Sequence, residues 1–394
     1  MADDTQFSPW PFYEQDEIDA VSDVLSSGRV NYWTGANGKE FEHEFARHFG
    51  AEYAIALANG TVALDIALRA LEIGPDDEVI VTPMTFLASV SSIVNAGATP
   101  VFADVDLDSQ NITPTSVEAV LSPRTKAIMC VHLAGWPCEM DGILDLAEQH
   151  DLAVIEDCAQ AHGARYRGKS VGSFGDTGAW SFCQDKIMTT GGEGGMVTTN
   201  DPELWSKMWS LKDHGKSYEA VFEREHPQGF RWLHESFGTN GRMTEMQAAI
   251  GRVQLTRMPE WHTRRLEIAN TIWSAASGLP GLRVPVVPDH IEHGAYKCYV
   301  FVELDRLNAG WDRDRIMVEI NDLGVPCYTG SCSEVYLEKA FDGTGFRPEK
   351  RLPNARDLGE TSLMFLCHPT LTDEQVAKTC EVLETVTRKA AGQR

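Results

Sequence analysis

The stretch Trp180-Ser181-Phe182-Cys183-Gln184-Asp185-Lys186-Ile187-Met188-Thr189-Thr190-Gly191-Gly192-Glu193-Gly194-Gly195 sets a lysine in a loop of small residues. Upstream, Val154-Ile155-Glu156-Asp157-Cys158-Ala159-Gln160-Ala161-His162-Gly163 closes an apolar, strand-like run on an aspartate. A lone lysine says little, because most are solvated surface charges. A lysine inside such a loop, following a strand-end aspartate, fits Schiff-base chemistry. Pyridoxal phosphate (PLP) needs an amine to hold its aldehyde and a carboxylate to keep its pyridine nitrogen protonated. Glycines let backbone approach a flat ring where a Cβ would collide. Lys186 and Asp157 are therefore the first candidates for a PLP site.

Outward from this pair, strand-like and helix-like runs alternate. Residues 53–57 precede a helical pattern over 61–71, residues 78–82 precede 86–95, and residues 100–104 precede a helix near 115–121. Two further apolar runs, 126–131 and 152–156, are separated by a helix near 142–149. Apolar on both faces, these short runs predict a mostly parallel central sheet covered by helices, an α/β fold. A long amphipathic stretch over 243–276 leads past Gly278-Leu279-Pro280-Gly281 to a changed pattern. There a strand over 299–304, a helix over 312–323 and a last helix over 372–389 read as a smaller α+β domain. The expected division is a large domain over 1–260 and a small C-terminal domain over 261–394. A helix near 16–25, stopped by Gly28, is assigned to the small lobe.

With 394 residues, 43% hydrophobic and 23% charged, the chain has the balance of a globular protein with a substantial core. A formal net charge of -24 argues against nucleic acid or an anionic membrane surface as partner. Any anionic substrate must then meet a locally basic pocket. Met1 is followed by Ala2-Asp3-Asp4-Thr5, without the basic and apolar regions of a signal peptide, and no run reaches transmembrane length. Nine cysteines lack any Cys-x-x-Cys pair, with Cys327 and Cys332 closest together. That pattern fits reduced thiols in the cytoplasm, with no metal site, and leaves the Asn111-Ile112-Thr113 sequon without use. His132, His162, His214 and His368 show no metal-ligand spacing either.

Other segments admit two readings. Asn59-Gly60-Thr61 lies between a strand and its helix, where it is either an ordinary cap or an anion site of backbone N–H groups. Phe86 follows a strand's end, a place where ligands gather in open α/β sheets, although core packing claims most phenylalanines. Asp157 itself could be a turn residue.

Taken together, these segments resemble the DegT/DnrJ/StrS-type sugar aminotransferases, a branch of the aspartate aminotransferase superfamily with the PLP-dependent transferase fold type I. The likeness runs over residues 31–372. It implies that Gly60 and Thr61, with Asn59 in place of a serine, hold the cofactor phosphate together with Ser181. Phe86 would stack on the pyridine, Asp157 would partner its nitrogen, and Gln160 would contact its O3′ oxygen. Lys186 would hold PLP and move the proton during transamination. The family's dehydratases carry histidine there, so Lys186 points to amino transfer. Gly238-Thr239-Asn240-Gly241-Arg242-Met243 matches a Gly-x-Asn-x-Arg-Met segment. Through it Asn240 would reach the partner's cofactor phosphate, which implies a homodimer. Tyr32 belongs to a segment resembling the loop that borders the substrate, and Tyr328 and His368 are further candidates to face it. Two departures stand out: one extra glycine in Thr190-Gly191-Gly192-Glu193-Gly194-Gly195, and Cys183-Gln184-Asp185 before the lysine.

The implied activity takes an amino group from glutamate or glutamine and delivers it to a nucleotide-activated keto-deoxysugar, for amino-sugar or surface polysaccharide biosynthesis. Two substrates alternating in one pocket imply ping-pong kinetics. An alternative acceptor is a cyclitol or a non-nucleotide keto-sugar. From other classes come a non-catalytic PLP-binding regulator, which the acidic charge disfavours, and a P-loop NTPase. The latter rests on Gly163-Ala164-Arg165-Tyr166-Arg167-Gly168-Lys169-Ser170, which satisfies the Walker A pattern letter for letter. That pattern works only between a strand and a helix. The following Val171-Gly172-Ser173-Phe174-Gly175 does not start a helix, so a turn between short strands is expected instead.

Overall fold

A computed structural model describes residues 7–392; residues 1–6 and 393–394, and with them the Met1–Thr5 segment read for a signal peptide, lie outside the described residues. The first part of the chain runs α1 Gln15–Ser27, α2 Asn37–Phe49, β1 Tyr53–Leu57, α3 Gly60–Ala70, β2 Glu78–Val81, α4 Leu87–Asn95 and β3 Thr99–Phe102. Next come α5 Pro114–Glu118, β4 Thr125–Val131, α6 Met140–His150, β5 Ala153–Asp157, β6 Arg165–Tyr166, β7 Lys169–Ser170, β8 Thr177–Ser181 and β9 Gly195–Thr199. Helices α7 Pro202–Lys212, α8 Tyr218–Phe222 and the long α9 Glu245–Ala276 follow. The last part holds β10 Leu282–Arg283, β11 Ile291–Glu292, β12 Lys297–Val302, α10 Arg313–Asp322, β13 Cys327–Tyr328, α11 Pro353–Thr361, β14 Ser362–Leu366 and α12 Asp373–Ala390.

The first sheet has the order β1-β9-β8-β5-β4-β2-β3. Strands β3, β2, β4, β5 and β8 run parallel to one another, and β9 runs antiparallel to both β1 and β8. The expectation of a mostly parallel sheet therefore holds. The carboxyl ends of β5 and β8 lie side by side at its centre, so Asp157 and Ser181 end adjacent strands. On one face, α3, α4 and α7 bury Leu64, Ile66, Ile93 and Met208. On the other, Met140, Ile143 and Leu146 of α6 pack with Trp136. Beside these, Phe41, Phe45 and Phe49 of α2 enclose Trp180 and Phe182, the residues that lead into the Lys186 loop.

The second sheet, β10-β12-β14-β13, is antiparallel and packs on α9, α10 and α12 through Ile272, Val300, Ile320 and Leu383. Helix α9 opens on a capping box between Thr244 and Gln247, a feature that contributes about 1 kcal/mol. It continues through Pro259, so residue 260 falls inside a helix that both lobes share. Val335, Tyr336 and Phe341, from the C-terminal third, pack against the first sheet. Helix α1 ends at Gly28, whose φ of 67° suits a residue without a Cβ. It docks on the first half of α9, where Glu17 meets Gln254 at 2.7 Å and Arg257 at 2.8 Å.

The Walker-like string forms the antiparallel pair β6 and β7, with Tyr166 opposite Lys169 and a turn at Arg167 and Gly168. No helix follows, and Lys169 Nζ donates to Ser173 O at 2.8 Å within the same loop.

Candidate active site

Asp157 ends β5 buried, with 6% of its surface exposed. Its Oδ2 accepts from Ser89 Oγ at 2.8 Å, and Ser89 is bonded to Thr85 Oγ1 at 2.8 Å. Its Oδ1 accepts from Ala159 N at 3.1 Å. A carboxylate has about four lone-pair positions, so capacity remains for a ring N–H. Ser89 was not foreseen, although it stands in the first turn of α4, just after the strand end that Thr85 and Phe86 follow. Between them, Phe86 stands at the start of α4 with 71% of its surface exposed. The core packing admitted for this ring does not occur, and its face is open. Gln160 is buried, and its Oε1 accepts from Ala134 N at 2.8 Å. The amide nitrogen is left as the donor.

At the head of α3, Asn59 Oδ1 accepts from Val62 N at 2.9 Å, so the capping reading of this residue is correct. Gly60 and Thr61 occupy the first helical positions, where backbone N–H groups form an anion site. A Cβ added at Gly60 would come 2.7 Å from the Cβ of Ser181. The helix start and Ser181 thus stand in direct contact, with no room for a larger residue at 60.

The Lys186 loop closes on itself. Phe182 N donates to Gly194 O at 2.8 Å, Thr190 N donates to Phe182 O at 3.2 Å, and Lys186 N donates to Cys183 O at 3.0 Å. The extra glycine is absorbed by a pair of left-handed residues, Gly191 at φ 83° and Gly192 at φ 115°. Lys186 is half-buried, and its carbonyl accepts from Trp10 Nε1 at 2.8 Å. Its Nζ lies 5.3 Å from the centroid of the Tyr296 ring, and Lys297 Nζ lies 4.7 Å from the same centroid. The Tyr296 hydroxyl donates to Asp185 Oδ2 at 2.5 Å. Burial opposes ionisation of Asp185, but the Lys186 ammonium and the Tyr296 hydroxyl hold its carboxyl below the usual carboxylate range. Burial lowers the Lys297 pKa, with Arg265 and Lys186 adding to it and Cys367 and Asp185 opposing. Arg265 is fully buried, which lowers its guanidinium to about 10, and its Nε and Nη2 have no hydrogen-bond partner. An acidic chain has gathered cations beside this lysine, as an anionic substrate requires. Trp10, Tyr296, Lys297 and Arg265 escaped sequence reasoning, because tertiary packing brings them together and no local pattern marks them.

His368 is buried beside this group, stacked on Trp10 with centroids 6.1 Å apart and Nδ1 bonded to Thr370 Oγ1 at 2.8 Å. Burial, then Arg265 and Lys297, lower its imidazole to about 3, so it is neutral at pH 7. Tyr328 stands half-exposed on β13. Tyr32 is packed rather than open: it is 3% exposed, its hydroxyl donates to Glu42 Oε2 at 3.0 Å, and the Lys212 ammonium sits 3.8 Å from its ring centroid. Asn240 is exposed and bridges in the backbone to Asp213, the residue that pairs with Arg242 at 2.6 Å.

Residues 11–384 match the model of the DegT/DnrJ/EryC1/StrS aminotransferase family. The chain belongs to that family. It is a PLP-dependent aminotransferase with the fold type I architecture expected for it. The spore coat polysaccharide biosynthesis protein SpsC of Bacillus subtilis is 37% identical over 390 residues, 96% of each chain. The dTDP-3-amino-3,4,6-trideoxy-alpha-D-glucose transaminase of Streptomyces venezuelae is 35% identical over 364 residues, 92% of this chain and 90% of that one. An aminotransferase from Psychrobacter cryohalolentis, known from its crystal structure, is 62% identical, with a TM-score of 0.96 over 98% of this chain and 99% of that one.

The residues present fit the cofactor of this aminotransferase. The first amides of α3 beside the Ser181 hydroxyl suit a phosphate, the open Phe86 ring suits a flat heterocycle, and Asp157 and Gln160 offer the acceptor and donor that a pyridinium and a phenolate need. Among the described residues, the one group with metal-ligand proximity is His132, Glu156 and Cys158.

Proposed function

We propose that the enzyme moves an amino group from glutamate or glutamine to the keto group of a nucleotide-activated deoxysugar, for amino-sugar or surface polysaccharide biosynthesis. The observation that carries this reading is that the adjacent strands β5 and β8 end on the buried Asp157 carboxylate and on Ser181, which touches the head of α3 and stands five residues before Lys186. Relatives named for spore coat polysaccharide biosynthesis and for a dTDP-amino-sugar transaminase support the sugar as acceptor. When bound, PLP supplies an aldehyde for the amine and an electron sink for the electrons released at the donor's α-carbon.

The chain's own residues do the rest. Asp157 holds a proton on the pyridine nitrogen, with its angle set by Ser89 and Ala159. Gln160 donates to the O3′ oxygen, because its carbonyl is already engaged. Phe86 covers one face of the ring and excludes water from it. The head of α3 and Ser181 bind the phosphate. Lys186 Nζ moves a proton in each half-reaction, away from the donor's α-carbon in the first and onto the sugar carbon in the second, and the Tyr296 ring confines the amine to that path. Lys297 and Arg265 supply the positive field for the donor's carboxylate. Tyr328 and His368 are proposed to border the acceptor, His368 as a neutral imidazole.

Asn240 is proposed to act on the partner's phosphate in a homodimer. Supporting this, Asn240 is exposed in the single chain, as are Phe230, Trp232 and Phe237 nearby. A cytoplasmic location is supported by nine free cysteines. No helix among the described residues is long and apolar enough to cross a membrane.

The test is to convert purified enzyme to its pyridoxamine form, add a panel of nucleotide keto-sugars, cyclitol ketones and free keto-sugars, and follow the visible spectrum. A nucleotide keto-sugar should restore the aldehyde band. Restoration by a cyclitol or non-nucleotide ketone alone would move the acceptor out of the proposed class.

A further inference from the structure

Glu156 stands one residue before Asp157 and therefore projects from the opposite face of β5. It is fully buried and accepts four hydrogen bonds. Oε2 takes the Gly172 amide at 2.7 Å and meets His132 Nε2 at 3.0 Å, while Oε1 takes the Phe174 and Gly175 amides at 2.8 Å each. The amides that follow the Walker-like string do hold an anion, but it is a carboxylate of the chain itself. Burial opposes its ionisation, and His132 and the backbone amides nonetheless hold it below the ordinary glutamate range.

His132 completes the link to the site. Its Nδ1 accepts the Cys138 amide at 3.0 Å, which assigns the ring proton to Nε2, facing Glu156. Its own backbone N–H donates to the Asp157 carbonyl at 3.1 Å. Two residues on, Ala134 takes a left-handed conformation at φ 56° and donates its amide to Gln160 Oε1. The imidazole therefore ties the end of β4 to the end of β5, directly behind the two polar residues aimed at the cofactor ring. The ligand atoms of His132, Glu156 and Cys158 lie within 4.8 Å of one another, but with His132 Nδ1 and both carboxylate oxygens engaged, only the Cys158 sulfur keeps lone pairs free.

We propose that Glu156 and His132 are positioning residues, a buried carboxylate–imidazole brace that fixes the placement of Asp157 and Gln160 against the cofactor. This rests on the PLP reading above. The brace acts through backbone, because His132 bonds the Asp157 carbonyl and its turn bonds Gln160.

The test compares wild type with His132→Leu, which removes both ring bonds, and His132→Gln, whose amide donates to Glu156 and accepts from Cys138. Folding is checked first by near-ultraviolet circular dichroism of the apoproteins. Two readouts follow: the PLP dissociation constant by fluorescence, and the pH midpoint of the visible band of loaded protein. His132→Leu should bind PLP roughly tenfold to a hundredfold more weakly, the usual scale for losing a partner one shell out. Its band midpoint should also shift, whereas His132→Gln should stay near wild type in both. A folded His132→Leu protein with wild-type affinity and midpoint would overturn the proposal. Should that variant fail to fold, His132→Asn replaces it; asparagine reaches Cys138 but falls short of Glu156, and values equal to those of His132→Gln would overturn the proposal equally. Wild-type protein that takes up no PLP would instead refute the underlying reading.

Discussion

The end of β5 and the segment from residue 213 to 242 both serve the proposed site, and they are finished to different degrees. Around Asp157 and Glu156, both carboxylates have partners within one chain: Ser89 and Ala159 on one face, His132 and three loop amides on the other. Around Asp213, Arg242 and Lys216 approach at 2.6 and 3.3 Å, yet Asp213 Oδ2 and Arg242 Nε remain buried without partners. Phe237 is 95% exposed a few residues away, and Trp232 is 79% exposed. Exposed aromatics of this kind are what a partner surface would cover. The first region is self-contained, and for the second we propose completion by another surface. Cofactor chemistry should then fail residue by residue in the first, while defects in the second should be repairable by a partner.

The largest effect expected is in the self-contained region. Lys186→Ala should lower turnover by about four orders of magnitude, as removal of a covalent catalytic group does, while the folded protein still takes up PLP; a steady-state coupled assay and dialysis measure the two. Next comes Glu156→Gln, which sets an amide donor against donors and should cost about 3–5 kcal/mol at neutral pH by denaturant unfolding. Its sign with pH follows from the lowered folded pKa. The stability Glu156 contributes is present above its ordinary value of about 4.3 and is lost as pH falls through the lower folded value. Wild type should therefore lose stability on that acid limb, and Glu156→Gln should lose less.

In the second region, Asn240→Ala should weaken PLP binding about tenfold, equivalent to roughly 1.4 kcal/mol. At limiting PLP, mixing it with inactive Lys186→Ala chains should raise activity per Asn240→Ala chain, because one composite site then carries both native residues. Mixtures that show no such gain after verified subunit exchange would place Asn240 outside the partner's site. The smallest effect belongs to Lys169→Ala, which should change stability by about 0.5 kcal/mol or less and leave no nucleotide-binding signal to lose, as isothermal titration with ATP and Mg²⁺ can check.

The same contrast governs what was legible in the sequence. Lys186 and Asp157 stand out locally, as a lysine in a small-residue loop and an aspartate at a strand end, whereas Gly60 admits two local readings and Gln160 enters only through the family resemblance. Strands β8 and β9 were not anticipated, because Gly178 and Gly195 disguise them as loop. The packing needs that glycine: a Cβ at Gly178 would come 2.6 Å from Gly172 Cα and from Thr198 Oγ1. Trp10 and Tyr296 reach the Lys186 loop from distant parts of the chain, so periodicity carries no trace of them. Tyr32 was placed at the substrate by a short likeness, whereas the buried Lys212 ammonium and Glu42 draw it into the interior. The division at residue 260 followed a real change of pattern, yet α9 runs through it because both lobes pack on one helix.

The central claim is tested most directly by reducing the PLP-loaded enzyme with borohydride and mapping the modified peptide by mass spectrometry. The account predicts a single pyridoxyl adduct on Lys186, and its loss in Lys186→Ala. An adduct on Lys212, Lys297 or any other lysine of the native protein would contradict it.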